Sequence, residues 1–277
     1  MNVPRVTAHC LVKNEQRWVW FALMSVLDFV DEILVWDDSS TDATAKVVAQ
    51  ITSPKINYRR IRIQDPAGHT RARQQMLEST TSDWFIILDG DEVWWRDSLK
   101  NLISAIIANP AKSAIISPFY NAVGDIFHYQ PPRSVHYRIH EFFGAFTIRA
   151  VNRRLPSLRV ANPHGRQEYR TREYSLQGLP RDRLLFVDHP FLHLTHLSRS
   201  ASRSLDRVVL KRSFKFRYEL GRSFPSDFVF PEVFYLPRPA LVDSPFTHRS
   251  LTYAAAASVF TPLRFLKSKV THFPEGY

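Results

Sequence analysis

The sequence has a single cysteine, Cys10, set inside an apolar run. One thiol cannot build a disulfide framework, so a cross-linked secreted fold is excluded and a reducing compartment is expected. No stretch reaches about 18 consecutive apolar residues, which excludes a spanning helix. The opening segment, MNVPRVTAHCLVKNE, lacks the long apolar stretch of a secretory leader. A cytoplasmic location is therefore expected, with a peripheral place at the inner face of a membrane as its variant. Internal repeats and low-complexity linkers are also missing. What remains is a chain of 277 residues, 44% hydrophobic. That suffices for one sizeable core, or for a core domain with a smaller appendage.

Charge is spread unevenly. Residues 1–129 carry 13 Lys and Arg against 15 Asp and Glu, whereas residues 130–277 carry 24 against 11. The basic half suits an anionic acceptor, an anionic membrane or nucleic acid, and equally a solvated basic surface.

Along the chain, residues 5–12 read as a buried strand. Residues 15–28 have apolar positions at helical spacing, and residues 32–37 form a second strand. Thr41 or Asp42 caps a helix running to about Gln50. Residues 56–63 alternate as an edge strand, and residues 69–80 are helical. A strand at 84–88, a helix at 97–108 and a strand at 113–119 follow. This alternation predicts an α/β fold with a mostly parallel central sheet and helices on both faces. Beyond residue 130 the alternation decays into antiparallel or irregular structure. Residues 200–220 read as a basic amphipathic helix, within a basic, aromatic, partly helical C-terminal extension.

In a parallel sheet ligands bind beyond the carboxyl ends of the strands. Two carboxylate groups follow strands here, DDSSTD at 37–42 and the DGDE of DWFIILDGDEVWW at 89–92. Both are expected at one crevice. Asp-x-Asp at a strand end lets two carboxylates reach one hard divalent cation, Mg²⁺ or Mn²⁺, which takes oxygen ligands and leaves positions for phosphates. A solvated turn uses the same residue types, but the buried run before Asp89 favours a site. Asp38 can accept hydrogen bonds from a base or ribose, or simply make a capping turn. Arg71 and Arg73, in GHTRARQQM, can meet a diphosphate near a helix N-terminus, or stand as surface arginines.

Taken in order, these segments resemble the opening of an inverting family 2 glycosyltransferase of the GT-A fold. The elements are a strand ending in K-N-E, then D-E-I-x-V-x-D-D-x-S-T-D, then an Arg-bearing helix, then D-W-x-x-x-L-D-x-D-E. The resemblance covers about residues 5–120 and is looser beyond. It implies a nucleotide-sugar-binding half at 1–120, an acceptor half at 121–198 and an extension at 199–277. It places Lys13, Asn14 and Glu15 along the nucleotide pocket and Asp38 on the base. Arg73 approaches the diphosphate, although Gln74 replaces the usual Asn. Asp89 and Asp91 become metal ligands, Asp91 the closer, and Glu92 is sugar-binding or one layer out. Where family members often have His-Glu, the chain has His164 and Glu168 separated by three residues. His164 then belongs to the substrate side and Glu168 is the general base, with Asp188 as its alternative; a salt bridge to a neighbouring arginine serves Glu168 as well. A late histidine completes some GT-A metal shells, and His193 fits, with His196 as alternative. The implied partners are a nucleoside-diphosphate sugar and a saccharide or lipid-linked acceptor.

Two other classes fit parts of the sequence. FIILDGDEV suits a haloacid-dehalogenase-type phosphatase with Asp89 as nucleophile, but three strand–helix units precede it and no paired-Asp metal motif follows. The stretch KRSFKFRYELGRSF suits nucleic acid, yet no recognisable nucleic-acid module accompanies it. An inactive transferase that has lost its base is the third option.

Overall fold

The computed structural model describes residues 3–135, 137–209 and 212–270. The first half alternates as expected: β1 (Val6–Val12), α1 (Val19–Val26), β2 (Glu32–Asp38), α2 (Thr44–Val48), β3 (Ile56–Ile61), α3 (Pro66–Ser79), β4 (Trp84–Leu88), β5 (Glu92–Trp94), α4 (Arg96–Ala108), β6 (Ala114–Val123) and β7 (Asp125–Tyr129). In space β3, β2, β1 and β4 lie side by side and parallel. Strand Phe146–Asn152 runs antiparallel between β4 and β6, and Arg222–Ser223 closes the far edge against β7.

Every residue of β1 is buried, as befits a central parallel strand covered on both faces. Its alternation assigns the layers. Val6, Ala8, Cys10 and Val12 join the core beneath α1, while Leu11 packs with Ala72 and Met76 of α3 on the other face. Among these apolar residues His9 is fully buried, stacked on Phe85 with ring centroids 4.5 Å apart.

Three expectations change. α3 begins at Pro66 rather than 69, because Asp65 caps it by accepting from Gly68 N at 2.6 Å and Pro66 occupies its first turn. α1 is shorter than 15–28: residues 16–18 form a turn ahead of it, and Phe29 N closes a turn onto Val26 O behind it. The described residues of 200–220 do not form one amphipathic helix. They give two short ones, Arg203–Arg207 and Arg212–Lys215, because Arg212 turns inward to the carbonyls of Lys13 and Asn14. Residue 120 lies within β6, and Arg222–Ser223 belongs to the same sheet.

The phenylalanines after residue 221 mostly turn inward. Phe224, Phe230 and Phe234 are buried, Phe224 stacks on Phe228 at 4.0 Å, and Phe234 packs edge-on against Phe21 of α1 at 5.1 Å. The final described element is a helix, Leu251–Val270.

Candidate functional site

After β1 the chain moves outward to β2 and β3, then returns to β4 on the opposite side of β1. This reversal opens a crevice at the carboxyl ends of β1, β2 and β4, where such sheets bind ligands. A cleft of about 760 Å³ occupies it. Lys13, Glu15, Asp38, Arg73, Asp89, Asp91, His164, Glu168 and His193 all line it, so nine expected residues share one cavity.

The turn after β4 is held tight against β1. A Cβ on Gly90 would come within 2.8 Å of Val12 Cγ1 and 3.0 Å of Glu15 Cγ, so only glycine lets the two strand ends meet this closely. Three carboxylates thereby gather beside Glu15, and four guanidinium groups answer them. Arg73 donates to Asp89 at 3.0 Å, and Arg149 pairs with Glu92 and stands 3.8 Å from Asp89. Arg199 lies 2.9 Å from both Asp91 and Glu15, and Arg212 lies 2.5 Å from Glu15. All four arginines are buried. Such pairs persist in a low-dielectric interior because losing either partner strands a charge.

The protonation equilibria follow this competition. Burial disfavours the Asp89 anion, yet Arg149 and Arg73 hold its carboxyl below the usual range. Asp91 is likewise held low, burial being overcome by Arg199 and His193. Burial wins at Glu92, whose carboxyl is pushed well up despite Arg149. Burial also pushes Glu15 up to about 7 against the pull of Arg199 and Arg212.

One ligand oxygen each from Asp89 and Glu92 and one ring nitrogen of His193 lie within 4.8 Å of one another. His193 pairs with Glu92 in the β-ladder, its Nε2 stands 3.8 Å from Asp91, and its Nδ1 is buried without a hydrogen-bond partner. Burial lowers its pKa to about 4, so the ring is neutral and keeps a lone pair to offer. Two carboxylates and a neutral imidazole fit Mn²⁺ or Mg²⁺. Glu92, expected one layer out, stands in this group, and Asp91 lies beside it on Arg199.

Elsewhere on the wall, Asp38 accepts from Lys13 Nζ at 2.8 Å and from Ile63 N at 2.7 Å. Asp37 makes the turn instead, accepting from Ser40 N. His164 packs tilted against His69, ring centroids 4.3 Å apart. Glu168 accepts from Asn162 at 3.1 Å and from Arg170 at 3.4 Å, so its arginine salt bridge exists and its carboxylate still faces the cleft.

Four expected residues are placed differently. Asn14 does not line the cleft: its side chain accepts from Thr41 N at 2.8 Å and donates to Leu205 O at 3.1 Å, bracing the loops behind the site. Arg71 points outward to Asp65, 3.0 Å away, at the helix N-terminus. Asp188 is exposed and off the cleft wall. His196, the alternative to His193, has both ring nitrogens engaged, 2.6 Å from Lys215 O and 3.0 Å from Gln130 Oε1.

Arg149, Arg199, Arg212, Lys215 and His69 line the same cavity without having been singled out from the sequence. Arg149 carried a signal, a lone charge at the centre of the apolar strand FTIRAVN. Arg199, Arg212 and Lys215 are masked by a region crowded with basic residues.

Comparison with known proteins finds relatives among glycosyltransferases. The model of the family described as "Glycosyl transferase family 2" matches residues 10–166. Glycosyltransferase SunS of a Bacillus subtilis prophage is 22% identical over 151 residues, 50% of this chain and 35% of its own. Succinoglycan biosynthesis protein ExoO of Rhizobium meliloti is 30% identical over 117 residues, 41% of this chain and 33% of its own. The matched segment thus spans about a third of each curated relative's length. Among solved structures, glucosyl-3-phosphoglycerate synthase from Mycobacterium tuberculosis, in complex with Mn²⁺ and UDP-glucose, has 14% identity and a TM-score of 0.44, covering 69% of this chain and 71% of that one.

Proposed function

The chain belongs to glycosyl transferase family 2, and we propose that it transfers a hexose or related sugar from a nucleoside-diphosphate sugar to an acceptor hydroxyl, with inversion at the anomeric carbon. One observation carries this reading: Asp89, Asp91 and His193 line a single cleft at the switch point of the sheet, with the buried Glu92 within reach of Asp89 and His193. Asp89, Glu92 and His193, with Asp91 beside them, would hold Mn²⁺ or Mg²⁺, which supplies positive charge for a leaving diphosphate. Family membership also sets aside the phosphatase alternative, and nothing in the cleft favours nucleic acid.

The chain's own residues account for the rest. Asp38, fixed by Lys13 and Ile63 N, stands ready to accept from the nucleoside. Arg73, Arg149, Arg199 and Arg212 are committed to carboxylates, so they hold the cluster's shape more than they add free charge. Lys215 lines the cleft with no ion-pair partner among the described residues, and its charge bears on Asp89, Asp91 and His193. Its backbone is anchored through its carbonyl oxygen to His196. We assign it to the diphosphate. Glu168 takes the acceptor's proton as the sugar carbon is attacked, the role an inverting transfer requires of one carboxylate. The acceptor is a saccharide or lipid-linked saccharide of envelope polysaccharide or glycolipid synthesis, a reading supported by the name that ExoO carries.

The test is nucleoside-diphosphate release from a panel of nucleotide sugars with Mn²⁺, with and without saccharide acceptors. Glu168→Gln should lower transfer roughly 100-fold or more while leaving donor binding intact. Asp188→Asn should leave transfer unchanged. Full transfer by Glu168→Gln would remove Glu168 as base.

A further inference from the structure

The C-terminal helix Leu251–Val270 presents apolar residues on the side away from the body. Tyr253 and Ala257 are 7% and 0% exposed, and Thr261 accepts from Leu220 N at 2.9 Å. These three recur every four residues and form the packed stripe. Val259, Leu263 and Leu266 recur at spacings of four and three on the opposite side, about 200° around the helix from Ala257 at its start. They are 61%, 56% and 61% exposed, and Phe260 and Leu251 flank them at 47% and 89%. Nine of the fifteen large apolar residues left exposed among the described residues fall between 229 and 266. A contiguous apolar stripe on an outer surface marks an interaction site rather than a core.

The composition of the segment selects the partner. From Ser244 to Val270 the sequence has Arg249, Arg264, Lys267 and Lys269 and neither Asp nor Glu. An apolar stripe in a segment with basic residues and no acid suits an interface that offers acyl chains and negative head groups together. No helix among the described residues is long and apolar enough to cross a membrane, so the helix would lie along the surface. The aromatic residues before it do not share this role, since Phe224, Phe230 and Phe234 are buried in the core.

We propose that the Leu251–Val270 helix is a docking surface for an anionic lipid bilayer, with Val259, Leu263 and Leu266 entering the boundary between head groups and acyl chains. The proposal stands on this surface alone and does not depend on the reaction assigned to the cleft.

Co-sedimentation of the full chain with vesicles tests it. Vesicles mixing phosphatidylglycerol with phosphatidylcholine should bind the protein at low salt, and phosphatidylcholine alone should bind far less. The double variant Leu263→Asp, Leu266→Asp should weaken binding roughly ten-fold or more. Its melting curve should match the native one, because both side chains are exposed. Absence of native binding to the anionic vesicles overturns the proposal, as does equal binding by the folded double variant. Sedimentation that reveals a dimer dissolved by the same two substitutions, without vesicle binding, would instead assign the face to a second copy of the chain.

Discussion

At the scale of single residues, the site is a balance of four carboxylates against four guanidiniums, all buried except Asp89. Arg149 shows what the balance is worth. Replacing it by Met leaves Glu92 buried without its cation and removes one of Asp89's neighbours. A loss of roughly 3–5 kcal/mol is expected in denaturant unfolding, and Glu92→Gln in the same background should recover part of it. Lys215 lies at the other extreme. It is exposed and has no ion-pair partner among the described residues, so Lys215→Ala should leave stability within about 0.5 kcal/mol. The same change should lower kcat/KM for transfer on the order of 100-fold if its ammonium meets the diphosphate. A stable variant with native kcat/KM would remove Lys215 from the site. The carboxylates were legible in the sequence because they cluster within four residues of the ends of β1 and β4. Their cations were not, because arginines 149, 199 and 212 arrive from segments distant in sequence, two of them within a region rich in charge.

At the scale of elements, β1 carries a feature that apolar patterning conceals. His9 sits fully buried between sheet and α3, its Nε2 2.6 Å from Thr80 Oγ1, while that hydroxyl donates to Met76 O at 2.7 Å. The imidazole is therefore the donor to Thr80, and burial, helped by Arg73, lowers its pKa to about 3. Between the ordinary value near 6.5 and this folded value, the unfolded chain takes up a proton that the folded chain refuses. Stability present above pH 6.5 is accordingly lost as pH falls towards 3. By pH 5 the loss from His9 should be on the order of 1–2 kcal/mol. His9→Gln retains an N–H donor for Thr80 without a titrating ring. Unfolding at pH 7 and pH 5 should show a smaller drop in this variant than in the native protein; an equal drop would place the acid sensitivity elsewhere. The strands β1 to β4 were readable because buried parallel strands are continuous apolar runs with turn residues at both ends. The start of α3 was readable too, in the pair Asp65–Pro66, but the apolar pattern drew the boundary to residue 69. The stretch 200–220 misled for a physical reason: a basic amphipathic pattern assumes charge facing water, and here Arg212 is drawn into Glu15 and two strand-end carbonyls.

At the scale of the whole molecule, the asymmetry of charge resolves into distinct tasks. Part of the basic half lies inside, where Arg149, Arg199 and Arg212 brace the carboxylates of the first half. Part lies along the outer C-terminal helix. Phe224, Phe230 and Phe234, which helped give the last eighty residues a membrane-like composition, are core, and hydropathy alone cannot separate a buried ring from an exposed one. The central claim is that the strand-end carboxylates hold a divalent cation, which in turn holds a diphosphate sugar. Titration calorimetry with a panel of nucleoside-diphosphate sugars, with and without Mn²⁺, on the native chain and on Asp89→Ala tests it most directly. One donor should bind the native protein only with Mn²⁺ present, and Asp89→Ala should lose that binding. Equal binding without the metal, equal binding by the variant, or no binding of any donor would contradict the claim.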